Sequence, residues 1–185
     1  MELPKRKPTR LKNHDYSLPA AYFITICTQG KHCILSTVTS ENRIPYKKAG
    51  VISAKYIDMI QDKFPHIEVH KFVIMPNHIH MILFVYGTEK GLTKDTKIYN
   101  EDENIKKAMG WFKYMATKEI NQAFGRNFSR IFQRSYHDHI IRGKFDYQKI
   151  WNYIHTNPLL WRKDCFYPDN TSITNVSGGK TPPLQ

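Results

Sequence analysis

The stretch Phe72 to Val85, FVIMPNHIHMILFV, constrains the chain more than any other segment. Its apolar, β-branched composition predicts two strands, IEVHKFVIM and IHMILFV, joined tightly through Pro76, Asn77 and His78. Two histidines, one residue apart, stand where Ile or Val would pack better. Side chains alternate along a strand, so His78 and His80 point to one face and Ile79 to the other. Imidazoles about 7 Å apart at the backbone can converge on one metal ion. They can equally be a buried, hydrogen-bonded pair, and a metal site needs a further ligand from elsewhere. Pro76-Asn77 fixes a turn that holds the strand end rigid.

The flanking pattern supplies the rest of the fold. AAYFITICTQG predicts a first strand, stopped at Gly30, and residues 31–48 a loop. Ile52, Tyr56, Ile60 and Phe64 recur at helical spacing before Pro65, which predicts one helix over 50–65. After the hairpin, YGTEKGLTKDTKIYNEDE is a polar loop. In NIKKAMGWFKYMATKEINQAF, Ile105, Met109, Phe112, Ala116, Ile120 and Phe124 form a buried stripe. Lys106, Lys107, Lys113 and Lys118 stay outside that stripe. FSRIFQRSYHDHIIR predicts further strand, and KFDYQKIWNYIHTNP a helix ended by Pro158. The order β, α, β, β, α, β, α predicts an α+β fold of the ferredoxin-like kind, a central antiparallel sheet with helices packed on one face. Residues 1–19 form a basic arm, 20–163 one domain, and 164–185 a tail without periodicity, possible disorder included.

Candidates for a third ligand are His70, His137, Asp138, His139, His155 and Asn157. Tyr153 and Asn157 lie four apart and therefore share a helix face, beside the stripe of Ile150, Trp151 and Ile154. One helix can thus present a phenol and an amide oxygen together, although packing alone also explains a tyrosine there.

Charge bears on partners. Lys and Arg total 28 against 16 Asp and Glu, a net +12, which favours polyanions, nucleic acid first. No apolar run approaches the roughly 20 residues of a spanning helix, so no membrane partner is expected. The N-terminal stretch has no signal-peptide apolar core. Cys27, Cys33 and Cys165 fit neither a disulfide framework nor zinc-finger spacing, and a reducing, cytoplasmic location is expected. SGGKT at 177–181 mimics the end of a phosphate-binding loop, but Thr174 occupies the position of its first glycine.

Taken together and in order, YFITICT, VIMPNHIHMIL, SYHDHIIR and DYQKIWNYIHTNPLLW resemble the HUH single-tyrosine transposases, most closely the REP-associated tyrosine transposases, over about Arg10 to Trp161. Ala20-Ala21 stands where a glycine often precedes Tyr-Phe in that family. The resemblance implies a ferredoxin-like HUH fold with His78, His80 and Asn157 as metal ligands, Mg²⁺ or Mn²⁺ as cofactor, and Tyr153 as nucleophile. It implies cleavage of single-stranded DNA beside palindromic hairpins through a 5′-phosphotyrosine intermediate, by a monomer or a homodimer. Candidates to bind the DNA are Lys5, Arg6, Lys7, Arg10 and Lys12 of the arm, Lys106, Lys107, Lys113 and Lys118 of the long helix, and His139 and Arg142. The alternatives are a hairpin-binding protein on the same fold that does not cut, and a phosphodiesterase that uses a metal-bound water.

Overall fold

The computed structural model describes residues 20–86, 101–127 and 129–168. Four strands, β1 (Ala20–Cys27), β2 (Ile67–Ile74), β3 (His78–Val85) and β4 (His137–Ile141), form one sheet in the order β2-β3-β1-β4. All neighbouring pairs are antiparallel. The helices are α1 (Lys48–Asp58), the single turn α2 (Ile60–Lys63), α3 (Glu101–Ala123) and α4 (Gly143–Thr156). Strand–helix–strand–strand–helix–strand in this spatial order is the ferredoxin-like arrangement, with α4 added after it.

Strand alternation divides the interior into two layers. Tyr22, Ile24 and Ile26 of β1 and Ile79, Met81 and Leu83 of β3 meet Ile57 of α1, Ile60 of α2 and Phe112 and Ala116 of α3. Ala21, Phe23 and Cys27 of β1 and Ile82 of β3 meet Ile150 and Ile154 of α4 instead. The sheet is therefore covered on both faces, not on one: its central strands are apolar on both sides, and α4 buries the second side. That second layer is the one His78 and His80 share.

Three local predictions change. The helix over 50–65 is divided at Met59, whose backbone (φ −78°, ψ −5°) stays in the right-handed α region but with ψ displaced from the ideal value, so that α2 follows α1 as a separate turn. The polar segment ends in helix three residues early, at Glu101, while its residues 87–100 lie outside the described ones. Of FSRIFQRSYHDHIIR only His137–Ile141 is regular strand, preceded by an isolated bridge between Thr28 and Phe132. The Lys113 ammonium explains part of this, because it donates to the carbonyls of Gln133 (3.4 Å) and Arg134 (2.7 Å), groups that a ladder would otherwise use.

Gly50 shows how closely α1 sits on the chain before it. A Cβ there would fall 2.1 Å from the Leu35 carbonyl oxygen, which also accepts the Lys47 N–H at 2.9 Å. At Gly110 in α3 a Cβ would meet nothing within 4 Å. The same substitution should thus act in opposite directions. Gly110→Ala is expected to raise stability by about 0.5–1 kcal/mol through helix propensity. Gly50→Ala should lower it by about 1–3 kcal/mol despite that gain, since backbone must move. Urea unfolding midpoints of both variants check this, and shifts of equal sign would contradict the packing described.

Candidate metal and tyrosine site

The turn before β3 builds the site. The Asn77 carbonyl accepts from the Thr28 N–H (2.9 Å) and the Thr28 hydroxyl (3.0 Å), fastening the turn to the end of β1. Its side-chain Nδ2 donates to the carbonyls of Phe166 (2.7 Å) and Lys31 (3.2 Å). Both are pure acceptors, so the amide orientation is determined, and Oδ1 faces His78 Nδ1 at 2.9 Å. An amide oxygen can only accept, so His78 carries its proton on Nδ1 and its lone pair on Nε2. That Nε2 is buried and has no hydrogen-bond partner.

His80 is held in a similar way. Register places it opposite Thr25, whose Oγ1 lies 2.8 Å from its Nδ1, and its Nε2 faces the Tyr153 hydroxyl at 3.4 Å. With the phenol donating to Nε2, Nδ1 is the protonated nitrogen and donates to Thr25. The two imidazoles, both fully buried, lie 4.5 Å apart between ring centroids. Burial, then the neighbouring His80 and Lys31, holds His78 well below its ordinary pKa. Burial alone pushes His80 down to about 3. Both rings are neutral at pH 7 and present nitrogen lone pairs.

Helix α4 supplies the other wall. Ile150 and Ile154 anchor it in the second layer, which turns the half-buried Tyr153 toward His80 and places the buried Asn157 at its C-cap. Asn157 Oδ1 is a second buried atom without a partner, while its Nδ2 donates to Asp164 Oδ2 at 3.1 Å. Burial, then the Asp164 and Cys165 charges, raises the Tyr153 phenol well above the usual tyrosine range. The carboxylate of Asp164 and the imidazole nitrogens of His78 and His80 lie within 4.8 Å of one another, a group that could hold a metal ion. Two neutral imidazole nitrogens with an amide or carboxylate oxygen form a donor set that could hold a divalent cation. The orphaned Nε2 and Oδ1 fit such an occupant, because buried polar atoms ordinarily have partners.

The remaining candidate ligands lie elsewhere. His70 bonds the Tyr147 hydroxyl through Nδ1 at 2.8 Å and lies 3.5 Å from Glu68. His139 pairs with Asp146 of α4 at 3.1 Å, and the same carboxylate accepts the Arg142 N–H at 3.0 Å. His137 and Asp138 are exposed on the edge strand, and His155 on the outer side of α4. Lys5, Arg6, Lys7, Arg10 and Lys12 lie outside the described residues. Lys106, Lys107, Lys113 and Lys118 belong to α3, across the sheet from Tyr153, and Lys113 is committed to two carbonyls.

Sequence reasoning missed Thr25, Asp164 and Phe166, and took Asn77 only as a turn residue. The chain packs on past residue 163: Phe166 is buried, with its ring 4.5 Å from that of His78 and 6.2 Å from that of His80. None of the three carries a local signal: Thr25 and Phe166 meet the site through residues far away in sequence, and Asp164 through Asn157 in a stretch without periodicity.

Burial of two neutral histidines sets a pH dependence. The unfolded chain binds protons near pH 6.5, whereas folded His80 does so only near 3 and His78 is likewise depressed. Their contribution is complete above about pH 6.5 and is lost as pH falls from there toward the folded values, at up to about 1.4 kcal/mol per pH unit for each. Urea unfolding of the metal-free protein between pH 7.5 and 4.5 should show this slope, and His80→Gln should flatten it. An unchanged slope in that variant would contradict the assignment.

With this geometry in view, the chain can be set beside known proteins. No family model matches it. Among solved structures it is similar to a REP-associated tyrosine transposase bound to a REP hairpin, at 19% identity over 93% of this chain and 98% of that one, with a TM-score of 0.47. It is also similar to a transposase candidate from Deinococcus radiodurans, at 16% identity over 80% and 97%, with a TM-score of 0.40. In sequence it is 31% identical over 175 residues to a Haemophilus influenzae protein described as uncharacterized, spanning 89% of this chain and 94% of that protein. The chain belongs to one family with that Haemophilus influenzae protein.

Proposed function

We propose that the protein is a metal-dependent single-stranded DNA endonuclease and strand transferase of the HUH tyrosine transposase class, acting beside DNA hairpins. The observation that carries this reading is the convergence of four donors in one buried site. His78 Nε2 and His80 Nε2 come from the sheet, and Asn157 Oδ1 and the Tyr153 hydroxyl from α4. A core that needed only packing would not leave two of these polar atoms buried and unpaired.

Each residue then has a task. His78, His80 and Asn157 would hold a divalent ion, Mg²⁺ or Mn²⁺, which would supply Lewis-acid polarisation of the scissile phosphate. The Tyr153 oxygen attacks phosphorus and the bond from phosphorus to the 3′ oxygen breaks. The products are a 5′-phosphotyrosine and a 3′-hydroxyl; the phenol loses its proton and the departing oxygen gains one. Attack on the phosphotyrosine by another 3′-hydroxyl reverses the step and joins strands without a nucleotide cofactor. All four donors come from one chain, so a monomer carries a complete set.

Single-stranded DNA suits the surroundings. On the same helix as Tyr153, Trp151 is 36% exposed, stacks on Tyr147 with centroids 5.9 Å apart, and carries the Lys71 ammonium 4.2 Å above its ring. Aromatic faces with an adjacent cation accept bases and phosphates together. The net charge of +12 acts in the same direction. Among the described residues no helix is long and apolar enough to cross a membrane.

The test uses labelled single-stranded hairpin DNA from the sequence flanking the gene, incubated with Mn²⁺ or Mg²⁺ and run on a denaturing gel. A covalent protein–DNA adduct is expected, lost in Tyr153→Phe and reduced at least about 100-fold in His78→Ala. Binding without an adduct on several hairpins would favour a protein that only binds. Cleavage that survives Tyr153→Phe would favour a metal-bound water as the nucleophile.

A further inference from the structure

The segment just after α4 closes over the site, and polar atoms of Asp164 and Phe166 tie it there. Asp164 Oδ2 accepts from Asn157 Nδ2 at 3.1 Å, and Asp164 Oδ1 accepts from the Phe166 N–H at 2.7 Å. The Phe166 carbonyl accepts from Asn77 Nδ2 at 2.7 Å, and its ring lies against His78. Three residues, Asp164 to Phe166, thus engage both asparagines of the site from one side.

An asparagine amide is nearly symmetric in shape, and only its neighbours decide which end points where. The choice matters at Asn157: its oxygen can ligate a cation, whereas its NH₂ group presents two positive hydrogens. We propose that Asp164 is a positioning residue that fixes this choice, so that Asn157 turns Oδ1 toward the imidazoles; the inference rests on the metal site proposed above. An ionised carboxylate only accepts, so it selects the NH₂ end of Asn157 for itself. A flipped amide would set its oxygen against the carboxylate and leave the buried N–H groups without that acceptor. Asn157 is 1% exposed, so water cannot replace the bond.

Asn77 follows the same logic with backbone carbonyls in place of a carboxylate, and there the outcome is the protonation pattern of His78. The segment therefore governs two of the three proposed ligands without supplying an atom. Asp164 is near enough to ligate directly, but both its oxygens already accept hydrogen bonds while Asn157 Oδ1 has no partner.

A double-mutant cycle separates these roles, with Mn²⁺ affinity of the full-length protein as the readout, measured by electron paramagnetic resonance of free ion. Asp164→Ala is expected to weaken binding about 10-fold or more, within the 10–100-fold usual for residues that orient ligands. In an Asn157→Ala background, most of that loss should vanish, because no amide remains to be oriented. Asp164→Asn, which can face Asn157 with either end of its amide, should fall between wild type and Asp164→Ala and serves if the alanine variant unfolds. Thermal melts of the metal-free variants report any loss of folding separately. An equal loss in both backgrounds would make Asp164 a direct ligand and overturn the positioning role. Unchanged affinity in both Asp164 variants, with His78→Ala abolishing binding, would overturn it while leaving the metal site standing. No Mn²⁺ binding by the wild type would remove both.

Discussion

The pairing of β1 with β3 is the constraint on which the rest depends. It sets Thr25 opposite His80 and Cys27 opposite His78, with β2 and β4 completing the sheet on either side. Strand side chains have a period of two, so a slip of one residue would drive both imidazoles into the aliphatic layer under α1 and α3. Neither layer can accept that exchange. Ile79, Met81 and Leu83 would be turned toward α4, and the histidines would lose Thr25 and Asn77. The hydrophobic pattern that chooses the register is thus also what aims the site.

A second order of organisation is polar. Asn77 uses its carbonyl on Thr28 and its amide on Lys31, Phe166 and His78, tying the end of β1, the start of β3 and the segment after α4 into one unit. In a low-dielectric interior such a network is stable only when its members are satisfied. Here satisfaction stops at two atoms, His78 Nε2 and Asn157 Oδ1. Every neighbouring bond restrains those atoms without occupying them. The deficit is concentrated where a cation would relieve it.

How much of this the sequence shows follows from how local each signal is. The strands, the hairpin and α4 are legible because alternation and helical spacing act over a few residues. The shared face of His78 and His80 follows from the same rule, as does the adjacency of Tyr153 and Asn157. Other features are decided by contacts across the fold. Nothing in the pattern of α3 says which face of the sheet it covers, so its lysines could be assigned to DNA although they lie across the sheet from Tyr153. Nothing near Lys113 says that it would hold carbonyls twenty residues on. Asp164 sits in a stretch with no periodicity, and its meaning arises only when α4 ends where it does and the chain turns back over the imidazoles.

The electrostatics of the site also hold together only when considered jointly. Burial keeps both imidazoles neutral, which provides lone pairs, and the same burial with the Asp164 charge keeps the Tyr153 phenol protonated. Without a cation these tendencies favour a quiet site: a His78 lone pair with nothing to bind, a His80 lone pair that only accepts from the phenol, and a phenol disinclined to ionise. Positive charge beside the two Nε2 atoms acts on both at once, since it engages the lone pairs and stabilises a phenolate within reach of the same atoms. Low polarity strengthens that effect, because a charge is screened less there than in water. The apolar layer under α4 is therefore more than packing. Under the function proposed above, it would make the readiness of Tyr153 depend on whether the histidines are occupied, with the same residues that fix the fold.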